Sequence, residues 1–124
     1  MPKRILIIDD EEIVIRSVCL LLEKSGYEVY VVKNGQDAVA IAEESRFDLI
    51  IADIRMPGMN GVEAVKRIHK VLRKKKESLF PVIFITGYAD KGIEKQAQEL
   101  KPVGYLYKPF DNADLLEKVR EAIG

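Results

Sequence analysis

The 124-residue sequence predicts an α/β fold: a doubly wound, five-stranded parallel sheet in strand order 2-1-3-4-5 with five helices. Three observations carry that expectation. Short β-rich apolar runs alternate five times with helix-length amphipathic segments. The first run is apolar throughout after Arg4, as a strand buried on both faces requires. Five β-then-α units with right-handed crossovers place helices on both faces and are too few for a closed eight-fold barrel.

The elements follow in order. Residues 4–8 form the first strand, which stops at Asp9 and Asp10. A helix with Ile13, Val14, Val18, Leu21 and Leu22 on its apolar face comes next. Glu11 and Glu12 suit its N-terminal dipole, Lys24 its C-terminus, and Gly26 caps its end. Residues 27–32 are β-branched and aromatic, and Asn34-Gly35 then turns the chain. Ala38, Val39, Ile41 and Ala42 mark a short second helix.

Residues 49–52 form a third strand ending at Asp53, followed by a breaker-rich loop over 56–61. The third helix carries Val62, Val65, Ile68 and Leu72. A fourth strand over 82–85 ends at Thr86-Gly87; Asp90 caps a weak helix with Ile93, Ala97 and Leu100, closed by Pro102. A fifth strand over 103–107 ends at Lys108-Pro109. Asp111 or Asn112 caps the last helix, whose apolar face is Leu115, Leu116, Val119, Ala122 and Ile123.

Composition narrows the function. The 20 basic and 20 acidic side chains cancel, which argues against general nucleic-acid binding and against attraction to an anionic membrane. An apolar content of 48% excludes intrinsic disorder. No apolar run approaches the ~20 residues of a membrane span, and no signal pattern precedes the first strand. The single cysteine, Cys19, excludes a disulfide framework within the chain. The expectation is a cytoplasmic, single-domain protein spanning residues 1–124, with Met1 as a natural N-terminus.

In a doubly wound sheet, ligands bind beyond the C-terminal strand ends, at the point where strand order reverses. Strand 1 ends in Asp9-Asp10, strand 3 in Asp53, strand 4 in Thr86 and strand 5 in Lys108. Three converging carboxylates repel one another and call for a cation, and oxygen ligands alone select hard ions such as Mg²⁺ or Mn²⁺. A metal, a lysine and a hydroxyl together suit phosphoryl transfer, with the central Asp53 able to act as nucleophile and form an acyl phosphate. No Gly-x-Gly-x-x-Gly follows strand 1 and no P-loop occurs, which removes the common nucleotide-binding alternatives.

The segments Ile7-Ile8-Asp9-Asp10-Glu11, Asp48-Leu49-Ile50-Ile51-Ala52-Asp53, Met56-Pro57-Gly58-Met59-Asn60-Gly61, Ile85-Thr86-Gly87 and Tyr105-Leu106-Tyr107-Lys108-Pro109-Phe110 stand in order at the strand ends. With them the chain resembles the receiver domain of bacterial two-component response regulators, a flavodoxin-like fold, over essentially its whole length. The resemblance implies that Asp53 is the phosphoacceptor, fed by a sensor histidine kinase or phosphotransfer protein. It implies Mg²⁺ on Asp10, Asp53 and the backbone carbonyl of Arg55, with Asp9 acting through water. Lys108 would hold a phosphoryl oxygen, and its peptide bond to Pro109 would be cis. Thr86 would move toward the phosphoryl group and Tyr105 would turn inward, remodelling the face that an output protein or domain reads.

Three departures stand out. Lys101-Pro102 replaces a small pair before the strand-5 tyrosine, Gly87 replaces a frequent alanine, and Gly104 takes a position that is acidic in receivers dimerising through charged pairs. Arg55, two residues after the acceptor, is placed to gate water.

Several residues have plainer readings. Cys19 reads as a small buried hydrophobe, His69 as a surface or half-buried residue, Tyr107 as packing or surface, and Arg73-Lys74-Lys75-Lys76 as a solvated helix end. Two other functions compete with the phosphorylated switch. An interaction module that is never phosphorylated usually loses the acidic pair, the acceptor or the lysine, and all remain here. A hydrolase working through an aspartyl phosphate carries a second Asp two residues after its nucleophile, where this chain has Arg55.

Overall fold

The computed structural model describes residues 1–87 and 90–124. In chain order the elements are β1 (Arg4–Ile8), α1 (Glu12–Lys24), β2 (Glu28–Val32), α2 (Gly35–Glu44), β3 (Leu49–Asp53), α3 (Gly61–Lys74), β4 (Val82–Thr86), α4 (Lys91–Glu99), β5 (Gly104–Tyr107) and α5 (Asn112–Ile123). The strands form one sheet in order β2-β1-β3-β4-β5, every pair parallel. The predicted α/β fold and strand order are those observed.

Strand side chains alternate between faces, and each face receives its own helices. Leu6, Ile8, Ile50, Ala52, Val82 and Phe84 meet α2, α3 and α4 through Ala38, Ala42, Val65, Ile68, Leu72 and Ala97. Ile5, Ile7, Leu49, Ile51, Ile83 and Ile85 meet α1 and α5 through Val18, Leu22, Leu115 and Val119. Burial on both faces explains why β1, β3 and β4 read as unbroken apolar runs. Each fully buried Ile or Leu contributes roughly 1.5–3 kcal/mol relative to exposure.

Helix ends follow local chemistry. Asn34, Asn60 and Asp90 accept hydrogen bonds from the backbone N–H groups of Asp37, Glu63, and Gly92 with Ile93. Asn34 is therefore the cap of α2, where the sequence suggested a turn. Asp111 occupies the cap position of α5 without a side-chain capping bond. Gly26 closes α1 at φ +94°, whereas α3 and α4 end on Lys76 (φ 57°) and Lys101 (φ 53°), non-glycine residues in the left-handed region. Lys76 is held there by N–H bonds from Lys76 to Arg73 and from Glu77 to Leu72.

Four expectations need correction. Ile13 is 84% exposed, and Ile15 takes its place in the core. His69 is only 4% exposed, on the inner side of α3. Cys19 is partly buried rather than fully so. Strands β2 and β5 each begin one residue later than the apolar runs suggested, at Glu28 and Gly104. Arg73, Lys74, Lys75 and Lys76 are exposed at the end of α3, as read. No helix among the described residues is long and apolar enough to cross a membrane.

Candidate functional site

Sheet register gathers the chemistry. Ile8 pairs with Ala52, Asp53 with Ile85, and Thr86 with Tyr107. The residues just beyond these pairs, Asp9 and Lys108, therefore lie at the same sheet end as Asp53 and Thr86. The crevice opens between β1 and β3, where strand order reverses.

Asp53 closes β3 and is 1% exposed. Its Oδ1 accepts a hydrogen bond from the Arg55 N–H at 3.2 Å, and its Oδ2 accepts one from Lys108 Nζ at 3.1 Å. Asp9 is fully buried; its Oδ1 accepts from the Glu11 N–H at 2.9 Å, and its Oδ2 lies 3.6 Å from Lys108 Nζ with no hydrogen-bond donor among the described residues. Asp10 reaches solvent at the rim. Asp9, Asp10 and Asp53 each offer one carboxylate oxygen, all within 4.8 Å of one another.

The electrostatics of this cluster are unfavourable as it stands. Burial pushes the Asp9 carboxyl up to about 6; the Glu11 backbone N–H opposes that, and the neighbouring Asp53 charge adds to it. Burial also raises Asp53, with Lys108 opposing. Burial alone would lower the Lys108 ammonium, but hydrogen bonds to Glu11 and Asp53 and the charge of Asp9 outweigh it and leave it raised. One ammonium faces more negative charge than it balances. An oxygen-only donor set with an orphaned buried carboxylate oxygen fits a hard divalent cation.

Thr86 is 1% exposed at the end of β4, and its carbonyl accepts from the Lys108 N–H at 2.7 Å. The Lys108–Pro109 peptide is cis. Arg55 is exposed and lines a cleft of about 340 Å³ with Met56, Asn60, Thr86, Asp90 and Ile93. Tyr105 stands apart from the carboxylates. It pairs with Phe84 in the sheet, half-buried, with ring centroids 6.5 Å apart. Burial pushes its hydroxyl up to about 12, with smaller contributions from Glu94, Tyr107 and Asp90. Tyr107 is exposed beside it and donates to Glu94 Oε1 at 2.8 Å.

Two residues join the site that sequence reasoning assigned elsewhere. Glu11, read as a helix-dipole partner, places Oε1 2.5 Å from Lys108 Nζ. Its position directly after Asp9-Asp10 at a strand end was the available signal. Gly61, read as a loop breaker, lies against the Asp53 carbonyl so closely that a Cβ there would be 2.1 Å from the oxygen. Spacing carries no trace of such an approach.

This arrangement of an acidic crevice, a lysine and a threonine at the switch point of a 2-1-3-4-5 sheet defines a class of signalling domain. Residues 5–120 match the response regulator receiver domain family, and the chain belongs to it. It is 33% identical over 126 residues to the polar-differentiation response regulator DivK of Brucella anthropi, covering 100% of this chain and 98% of DivK. A CheY-like receiver domain protein from Methanospirillum hungatei superposes with a TM-score of 0.89 at 34% identity, covering 99% of this chain and 94% of that one. The receiver domain of the sensor histidine kinase PA1611 from Pseudomonas aeruginosa, described with a magnesium ion coordinated in its active-site cleft, gives a TM-score of 0.83 at 28% identity, covering 100% of this chain and 99% of that one. The chain spans about half the length of several curated relatives that it matches, among them transcriptional regulatory proteins.

Proposed function

We propose that residues 1–124 act as one receiver unit, a switch set by phosphorylation of Asp53. The observation that carries this reading is the Asp53 carboxylate, 1% exposed at the switch point with Lys108 Nζ 3.1 Å from Oδ2. The donor would be a phosphohistidine on a sensor histidine kinase or phosphotransfer protein. An Asp53 oxygen attacks phosphorus, the new O–P bond forms, and the N–P bond breaks with its electron pair returning to the imidazole. Lys108, already beside that oxygen, holds a phosphoryl oxygen as negative charge arrives. The Arg55 N–H fixes the other carboxylate oxygen and so orients the nucleophile.

Asp10, Asp53 and the Arg55 carbonyl would hold Mg²⁺ directly, with Asp9 acting through water. When bound, that ion supplies positive charge against the carboxylates and the phosphoryl oxygens. Thr86 would donate its hydroxyl to the phosphoryl group, and Tyr105 would turn inward behind it. The face formed by α4, β5 and α5 then takes the second of two packings, which an output protein or domain reads. The transfer is stoichiometric signalling in the cytoplasm; any self-catalysed gain or loss of phosphate is slow and regulatory.

Incubation with Mg²⁺ and acetyl phosphate, followed by intact mass measurement, tests the reading. A hydroxylamine-labile phosphate adduct, absent from Asp53→Asn, is expected. No adduct with any donor and no Mg²⁺ binding would turn the assignment toward a module that works unphosphorylated.

A further inference from the structure

We propose that Glu11 is a counter-ion latch on Lys108: its carboxylate holds the ammonium in the resting protein, and a phosphoryl group arriving at Asp53 must take Lys108 from it. The inference rests on the reading of Asp53 as acceptor and adds a regulatory residue to that site.

The contacts of Lys108 are graded. Nζ lies 2.5 Å from Glu11 Oε1, 3.1 Å from Asp53 Oδ2 and 3.6 Å from Asp9 Oδ2. The shortest belongs to the carboxylate that burial does not force upon it. The Asp9 and Asp53 side chains are at most 2% exposed, the Lys108 side chain 14%, whereas that of Glu11 is 57% exposed. Glu11 also occupies the N-cap position of α1, yet its side chain makes no capping hydrogen bond. It reaches instead to a lysine 97 residues away in sequence.

The pair is open to an incoming group. Glu11 and Lys108 line a cleft of about 460 Å³ together with Gly87, Pro109 and Phe110. Glu11 can swing into solvent there, where its charge is fully hydrated. Until it does, it acts in two ways on an approaching phosphoryl anion. It occupies an N–H donor of Lys108, and its own charge repels the anion. Glu11 is thus a positioning residue, acting through Lys108 and not on the reacting atoms. Because the contact is exposed, its effect must weaken with salt.

The test uses the full chain and the isosteric variant Glu11→Gln. With Mg²⁺ and acetyl phosphate, an Asp53 oxygen bonds to phosphorus while the phosphorus–oxygen bond to acetate breaks and acetate leaves with the electron pair. At low ionic strength Glu11→Gln should gain phosphate about 3–10-fold faster than the wild type, the effect of removing one partly exposed ion pair. The ratio should fall toward one at 1 M salt, where the screening length is about 3 Å. Glu11→Asp, which keeps the charge but loses one methylene of reach, should fall between.

A metal-free measurement stands beside these rates. Acylation of Lys108 by an amine-reactive acetyl ester, read by peptide mass, should be faster in Glu11→Gln, since the ammonium loses its nearest counter-ion. Equal phosphorylation rates at low salt, a ratio that persists at 1 M salt, or unchanged Lys108 acylation would each overturn the latch. If the wild type gains no phosphate from any donor, the reading of Asp53 fails, and the acylation arm still decides whether Glu11 holds Lys108.

Discussion

Gly61 packs on the main chain of Asp53: a Cβ at position 61 would stand 2.1 Å from the Asp53 carbonyl oxygen and 2.8 Å from its carbon. The Gly61 N–H also donates to the Ile54 carbonyl at 2.9 Å. The start of α3 is thereby pressed against the end of β3, and the backbone that carries the Asp53 carboxylate is fixed from behind.

Gly61→Ala therefore has an expected sign opposite to that of an ordinary helical glycine. Alanine in an unhindered helix gains up to about 1 kcal/mol. Here the methyl meets backbone that cannot turn aside, and overpacking of this kind costs about 1–3 kcal/mol. Chemical denaturation should show a net loss of stability, and the rate of phosphate gain from acetyl phosphate should fall with it. A stabilised variant would show that β3 and α3 can separate freely.

The buried carboxylates predict an unusual pH profile for the metal-free protein. Asp9 holds its proton up to about pH 6 when folded, against 3.8 for the ordinary group. Between those values the folded state binds the proton that the unfolded chain has released. This stabilisation is complete below 3.8 and is lost as pH rises through 6, about 3 kcal/mol in all. In EDTA, Asp9→Asn should be the more stable protein at pH 7.5, and the two should converge toward pH 4. Millimolar Mg²⁺ should raise the wild type at pH 7.5 and not the variant to the same extent. A wild type equally stable with and without Asp9 ionised would contradict the electrostatic account of the site.

Most of the sheet and the strand-end acids were legible in the sequence because one physical cause produced each signal. Burial on two faces makes β1, β3 and β4 unbroken apolar runs, and parallel register then brings Asp9, Asp53, Thr86 and Lys108 to the C-terminal end of the sheet. Helix phase was harder. Ile13, Val14 and Ile15 are three apolar residues in succession, so periodicity fits either phase of α1, and packing on the sheet selected Ile15 over Ile13. Glu11 escaped for a related reason. A helix N-terminus explains an acid there by itself, and only the folded sheet, which brings the segment after β5 to the C-terminal ends of β1 and β3, shows Lys108 within its reach. Lys76 and Lys101 end their helices at positive φ without glycine, so no local residue announced those conformations.

His69 predicts the opposite pH dependence to Asp9. Burial holds its imidazole below the ordinary value, a hydrogen bond with the Phe80 backbone opposes this, and the Arg73 charge adds to it. Its Nε2 has no hydrogen-bond partner among the described residues. Below pH 6.5 the unfolded chain takes up a proton that the folded state refuses, so stability falls as pH falls, by at most about 1.4 kcal/mol per unit. His69→Phe fills similar space without the unpaired nitrogen, but it also strips the Phe80 backbone of its hydrogen-bond partner, so at pH 7.5 it should be less stable than the wild type, by up to about 1–3 kcal/mol. That deficit should narrow between pH 6.5 and 5.5 in denaturation midpoints. A constant difference across that range would mean that His69 titrates normally in place.

Under the proposed function, Arg55 is placed to set how long the switch stays phosphorylated. Its backbone and side chain do separate things: the N–H holds Asp53 Oδ1 at 3.2 Å, while the side chain stands exposed on the cleft that Thr86 also lines. Hydrolysis requires water to approach phosphorus opposite the Asp53 oxygen, and a long cationic side chain at that rim obstructs it. Arg55→Ala removes the obstruction and leaves the N–H in place, so Asp53 keeps its orientation. After the donor is removed, the phosphate adduct of Arg55→Ala should decay about 3–10-fold faster than that of the wild type, equivalent to about 1 kcal/mol of barrier. Arg55→Met separates bulk from charge. A lifetime restored by methionine assigns the effect to exclusion of water, and one left short assigns it to the guanidinium holding phosphoryl oxygens. Equal decay in the wild type and Arg55→Ala would remove the Arg55 side chain from the timing of the switch.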